Sequence, residues 1–206
     1  MLMKLYGRNT SINVQKAAWV MGEAELNWEW VDKEGGVGTI DSPQYRKINP
    51  AAKIPTLDDN GLLVRQSNTI VRYVARKYAP QLIPRDDPAW VEAERWMEWQ
   101  NSDNRVPLTK VFWTLIRTPE NKRDTEELSL FIKALNNDFI ILDEYLGNRK
   151  YIAGEEFSIG DIPPGAAAYR YLSLPIERPV LTNLQNWYQK LVERPKFKEM
   201  VMIPLA

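Results

Sequence analysis

Ser11 stands at the end of a polar turn, Gly7-Arg8-Asn9-Thr10-Ser11, directly ahead of a segment with helical spacing. A hydroxyl at a helix N-terminus lies among unsatisfied backbone N–H groups and at the positive end of the helix dipole, so it can donate to an anionic sulfur. A thiol of ordinary pKa, about 8.5, is mostly protonated at neutral pH, and such surroundings lower it by roughly one unit or more. The thiol would have to arrive with the substrate, because the chain of 206 residues contains neither Cys nor His. The same hydroxyl also suits a purely structural N-cap, and the residue pattern alone leaves both roles open. A second anion site is predicted at Gln66-Ser67. There an apolar run passes into a helix carrying Ile70, Val71, Val74 and Tyr78 on one face, with Ser67 at the N-cap position. Between the two lies Ile54-Pro55, which opens a strand. A cis bond there would turn the backbone of Ile54 toward a ligand, and an ordinary trans proline beginning a strand is the simpler alternative.

The missing residue types exclude much. Without Cys there is no disulfide, no Cys nucleophile and no thiolate metal site, and without His the commonest base and metal ligand are gone. Lys plus Arg and Asp plus Glu each number 27, so no global field favours nucleic acid or an anionic membrane, and a charged substrate must be caught locally. No apolar run approaches the roughly 18 residues of a membrane span, and no charged-then-apolar leader opens the sequence, which reads as soluble and unexported.

The elements that must position these groups are readable in order. Leu2-Met3-Lys4-Leu5-Tyr6 reads as a strand, and a helix follows with Val14, Ala17, Ala18 and Met21 on a buried face. Trp28-Glu29-Trp30-Val31 reads as a second strand, and Gly35-Gly36-Val37-Gly38 as a loop that does not fit a dinucleotide-binding fingerprint. Two short apolar runs around Asn60-Gly61 form a predicted hairpin. Three prolines between 79 and 88 make that stretch a linker. Beyond it everything is helical in period, with Leu128, Ile132, Leu135, Phe139, Leu142 and Leu146 in one stripe. Phe157-Ser158-Ile159-Gly160-Asp161-Ile162 has the form of a capping box, and Pro163-Pro164 after it predicts a distorted first turn or a kink. The division is therefore an α/β domain over 1–78, a linker over 79–88 and an all-helical domain over 89–206.

Asn49-Pro50, Lys53-Ile54-Pro55 and Gln66-Ser67-Asn68-Thr69-Ile70 resemble the "NP…(K/Q)(I/V)P…ESxAI" glutathione-binding signature of the cytosolic glutathione transferases. Ser11-Ile12-Asn13-Val14 is similar to the run after the first strand in their serine-type members, and the absence of Cys excludes the cysteine-type bacterial class. The resemblance implies a thioredoxin-like N-terminal domain followed by an all-α bundle, and a transferase that conjugates the glutathione thiolate to a small apolar electrophile in detoxification. It implies that Ser11 holds the glutathione sulfur, with Asn9 next in rank and Asn13 and Tyr6 behind. Ile54 would offer its backbone to the cysteinyl unit through a cis Pro55, Gln66 and Ser67 would hold the γ-glutamyl end, and Lys53 would lie near the glycyl end. Phe112 or Trp113, with Arg117 and Tyr169, are the candidates for an electrophile pocket held between the domains, though any single aromatic also suits plain core packing.

Two departures stand out: Gln66 replaces the usual Glu, and the segment Thr39-Ile40-Asp41-Ser42-Pro43-Gln44 lacks the usual basic residues, leaving Lys53 and Arg8 to meet the anion. Glutathione is the expected co-substrate, no metal is expected, and the assembly implied is a cytoplasmic homodimer without nucleic-acid or membrane partners. Two alternatives share the fold: a non-catalytic module binding glutathione or a protein, with Ser11 only a cap, and a glutathione-dependent peroxidase or disulfide reductase.

Overall fold

The computed structural model describes residues 2–35 and 42–206. The predicted loop at Gly36-Val37-Gly38 and the residues Thr39, Ile40 and Asp41 lie outside the described residues. Two compact units divide the chain, one of Met1–Ile83 with Pro195–Pro204 and one of Pro84–Arg194 with Leu205–Ala206.

In the first unit β1 (Met3–Tyr6), α1 (Ile12–Glu23), β2 (Trp28–Val31), α2 (Pro43–Ile48), β3 (Thr56–Asp59), β4 (Leu62–Arg65) and α3 (Ser67–Tyr78) follow one another. The strands form one sheet in the order β2-β1-β3-β4, parallel between β1 and β2 and antiparallel elsewhere. Register places Leu5 opposite Leu57, and Leu57 opposite Val64, and all three are buried, so period-two alternation builds one apolar row across the sheet. The turn between β3 and β4 has both Asn60 (φ 54°) and Gly61 (φ 97°) in the left-handed region, the conformation that a two-residue hairpin demands and Asn-Gly supplies. Just before it the buried Asp59 carboxylate accepts from Tyr73 Oη at 2.5 Å, Lys77 Nζ at 2.7 Å and Tyr78 Oη at 2.6 Å, pinning the hairpin to α3. Burial pushes the Asp59 carboxyl up, but the bonds from Lys77, Tyr73, Tyr78 and Asn60 outweigh it and hold the group well below the usual carboxylate range.

The second unit contains α4 (Asp87–Asn101), α5 (Arg105–Phe112), a π-turn (Trp113–Arg117), α6 (Thr125–Tyr145), α7 (Ile162–Ser173) and α8 (Thr182–Val192). Asp86 caps α4 through Ala89 N at 2.9 Å, and Asp124 caps α6 through Glu127 N at 2.9 Å. Helix α6 buries Leu135, Phe139 and Leu142 of the predicted stripe, and Phe139 stacks on Tyr171 of α7 with ring centroids 4.0 Å apart. Leu128 and Ile132, from the same stripe, are only half-buried and line an open groove of about 420 Å³ with Leu115, Pro175 and Ile176. The predicted capping box is present at Ser158 and Asp161. Asp161 is fully buried and accepts from Ile152 N (2.9 Å), Ser158 N (3.0 Å) and Trp187 Nε1 (2.8 Å), while burial pushes its carboxyl up to about 6. A 3-10 turn, Ile159–Asp161, precedes α7, and the two prolines fall in the first turn of that helix, where a backbone N–H has no intrahelical acceptor to lose.

The last helix, α9 (Pro195–Met200), belongs to the first unit: Phe197 meets Trp19 of α1 with ring centroids 4.7 Å apart. With α3 and α9 both packed on it, α1 is buried continuously from 14 to 22, wider than the single face its periodicity predicts. Among the described residues no helix is long and apolar enough to cross a membrane.

Candidate active site

Gly7 sets the site's geometry. Its φ is +131°, and a Cβ there would stand 2.7 Å from Val14 Cγ2 and 2.8 Å from Ile54 Cβ, so only glycine lets the end of β1 pass between α1 and the Ile54 loop. The loop after β1 is tied down by Asn9 N donating to Lys33 O (2.7 Å) and by Gln15 Nε2 donating to Asn9 O (2.9 Å). Ser11 then occupies the N-cap of α1 in an extended conformation, and its side chain accepts no capping bond. No acidic residue lies in the first turn of α1 to offset the positive helix end. A half-buried hydroxyl at such a place is free to donate to an anion.

The Asn49-Pro50…Ile54-Pro55 stretch is a self-bonded loop organised by Asn49. The buried Asn49 donates through Nδ2 to Lys53 O (2.7 Å) and Thr56 Oγ1 (3.2 Å), and accepts Ala51 N at 3.2 Å. Tyr45 Oη donates to Lys53 O at 2.8 Å. Arg65 reaches back to Ile48 O through both Nε (2.9 Å) and Nη2 (2.5 Å). The Ile54–Pro55 bond is cis, the first of the two alternatives the sequence left open. Ile54 is half-buried and the Lys53 side chain exposed.

At the head of α3 the structure differs from the sequence reading. Gln66, not Ser67, takes the N-cap position, with φ 68° and ψ 125°, a region that costs a non-glycine residue about 1–3 kcal/mol and persists where its surroundings enforce it. Ser67 becomes the first helical residue and donates from Oγ to Asn13 Oδ1 on α1 at 3.2 Å. Asn13 Oδ1 also accepts from the buried Lys16 Nζ at 3.0 Å. As at α1, no acidic residue occupies the first turn of α3.

The remaining candidates separate. Tyr6 ends β1 beside Tyr45, with ring centroids 6.0 Å apart, and burial followed by the nearby Asp58 charge pushes its phenol up, so it stays protonated. Asn9 lines a cleft of about 500 Å³ with Trp28, Trp30, Lys33, Lys196 and Met200; Ser11 is not among the cleft's walls. In the second unit Phe112 is buried beneath Arg170, whose guanidinium lies 4.2 Å from the ring, and Arg117 lies 5.1 Å from the Phe112 ring and 4.7 Å from Trp113. Arg117 is further held by Nη2 donating to Ala206 O at 2.8 Å. Tyr169 is bonded to Ser173, interacts with Tyr188 and feels the charge of Arg170, and burial pushes its phenol up. Sequence reading passed over Lys16. Its signal was a lone lysine inside the otherwise uncharged, largely apolar run from Ile12 to Gly22.

Comparison with known proteins places these features in one family. The chain matches the family model described as "Glutathione S-transferase, N-terminal domain" over residues 1–76 and that described as "Glutathione S-transferase, C-terminal domain" over residues 106–195. It is 34% identical to the Escherichia coli protein named Glutathione S-transferase GstB, with all of both chains covered. It is 29% identical to Glutathione S-transferase 3 of Zea mays, covering 98% of this chain and 95% of that one. The theta class glutathione S-transferase of Xanthomonas axonopodis pv. citri, solved with glutathione bound, superposes with a TM-score of 0.95 at 37% identity over the whole of both chains.

Proposed function

Because the chain belongs to the glutathione S-transferase family and is a transferase acting on glutathione, we propose that it activates the tripeptide's thiol at Ser11 for attack on a small apolar electrophile. The observation that carries this reading is the Ser11 hydroxyl, which stands at the head of α1 without capping it. The hydroxyl donates to the sulfur, the thiol proton leaves to solvent, and a sulfur lone pair forms the new bond to the electrophilic carbon. As it forms, that carbon's bond to its leaving group breaks, and the group departs as an anion (halide from an aryl halide) with the bonding electron pair. A single well-placed donor to a developing anion contributes about 3–4 kcal/mol, and one unit of thiol pKa corresponds to about 1.4 kcal/mol.

Ile54, held by the Asn49 loop, offers its backbone to the cysteinyl unit. Gln66 and Ser67 receive the γ-glutamyl end, and the exposed Lys53 meets the glycyl carboxylate. The glutathione bound in the Xanthomonas protein supports the tripeptide as the ligand. For the electrophile, the candidates are Phe112, Trp113 and Arg117, which share one cluster, together with Tyr169. A cytoplasmic homodimer is the assembly proposed, carried over from the family.

The test is a titration of glutathione into wild type and Ser11→Ala, following the thiolate's ultraviolet absorbance and the affinity together. The apparent thiol pKa should rise by about one unit or more in the variant while affinity changes by less than about threefold. An unchanged pKa removes Ser11 from the chemistry, and a wild type that binds no glutathione overturns the reading of the site. Turnover of an aryl halide, against a hydroperoxide or a disulfide, then separates conjugation from the reductive alternatives.

A further inference from the structure

Along the loop that leads to Ser11, successive backbone N–H groups are used differently. Gly7 N donates to Val31 O at 3.1 Å and Asn9 N to Lys33 O at 2.7 Å, so both turn toward β2 and its continuation. In an extended chain neighbouring peptides face opposite sides, which turns the Arg8 N–H between them away from β2. The sheet order β2-β1-β3 puts β3 on that other flank, and its last pairing with β1 is Thr56 with Tyr6. Just past that pair stands Ile54, whose Cβ would lie 2.8 Å from a Cβ on Gly7. Among the described residues the Arg8 N–H has no acceptor. Arg8 O accepts Ser11 N at 3.2 Å, closing a turn whose end Cα atoms lie within about 7 Å of each other. An unsatisfied amide, turned to the Ile54 side, thus stands one turn from the uncapped Ser11 hydroxyl.

The other end of the same peptide holds it in that direction. In a planar trans peptide the C=O and N–H are antiparallel, so fixing one fixes the other. Gly7 O accepts from Trp30 Nε1 at 2.6 Å. Glycine lets the peptide that follows it rotate at little steric cost, and a half-turn would put a carbonyl where the Arg8 N–H now points. The indole bond from β2 opposes that half-turn.

We propose that the Arg8 backbone N–H is a second donor to the glutathione sulfur, and that Trp30, acting through Gly7 O, is the positioning residue that keeps it so directed. The inference rests on the reading of Ser11 as the hydroxyl at the sulfur and of Ile54 as the partner of the cysteinyl unit. A thiolate carries several lone pairs and gains from each donor aimed at it, whereas a carbonyl in the same place would repel it. Reversing the Gly7–Arg8 peptide would therefore raise the thiol pKa that the loop otherwise lowers.

The experiment follows the Arg8 amide by NMR in the full chain with isotope-labelled arginine, its signal being assigned by its loss in Arg8→Lys. Raising the pH through the thiol titration of bound glutathione should move the amide proton downfield as the thiolate forms. S-methylglutathione, which has no ionisable thiol, should give no such step. Trp30→Phe keeps an aromatic ring and removes the N–H. There the thiol pKa should rise by about one unit, the size of a charge-assisted hydrogen bond, while affinity for S-methylglutathione stays within about twofold. A Trp30 that served stability alone would leave that pKa where it was. An Arg8 amide in wild type that does not follow the thiol titration overturns the proposal, whether or not the variant folds. An unchanged thiol pKa in Trp30→Phe overturns it too. Ser11→Ala with an unaltered pKa, while the amide still follows the titration, overturns the reading of Ser11 and not this one. A wild type that binds no glutathione overturns both.

Discussion

Ser11 and Ser158 both open a helical segment in an extended conformation, and they end in opposite states. Ser158 is closed: its Oγ accepts Gly160 N at 3.2 Å, and Asp161 returns bonds to Ser158 N and Oγ, so the turn's donors are satisfied from within. Ser11 is open, with Val14 three residues on where Ser158 has Asp161, and its side chain caps nothing. A helix start that satisfies itself is part of the scaffold. One that leaves a hydroxyl and a positive dipole end unanswered is prepared for something that arrives from outside.

The largest expected effect falls on the closed end. Asp161→Ala strands the buried donors of Ile152, Ser158 and Trp187, and should cost about 3–5 kcal/mol of stability, read as a lowered urea midpoint. Next is the open end: Ser11→Ala should lower kcat on the order of a hundredfold while changing stability by less than about 0.5 kcal/mol, measured by steady-state kinetics beside the same urea titration. A loss of about 1–2 kcal/mol with turnover intact would instead make Ser11 an ordinary cap and erase the contrast.

The smallest effect sharpens the comparison by sign. Asp161, raised by burial from 3.8 to about 6, favours the folded state most when protonated, so its contribution is full below its ordinary value and is lost as pH rises through about 6. Asp59 is depressed by its partners, so its contribution is present above the ordinary carboxylate value and is lost as pH falls below it. Stability differences between wild type and Asp59→Asn, measured from pH 7 down to pH 3, should therefore shrink toward the acid end.

What the sequence disclosed was mostly local. Asn60-Gly61 announces its hairpin because a two-residue turn needs that backbone, and Ser158 with Asp161 announces its box because both partners lie within one turn. Ser67 misled for the opposite reason. Its hydroxyl is drawn to Asn13, 54 residues earlier in the chain, and the N-cap passes to Gln66 in an unusual conformation. Helical periodicity likewise showed one face of α1 but not its burial on every side, nor the lysine inside it, because both depend on α9 from the far end of the chain as well as on α3.

That return of α9 has a consequence on the ribosome. Trp19 cannot meet Phe197 until synthesis has passed through the second unit and reached α9, on the order of ten seconds later at ordinary elongation rates. For that interval the outer flank of α1 is bare, and whatever shields nascent apolar surface in the cell must shield it there.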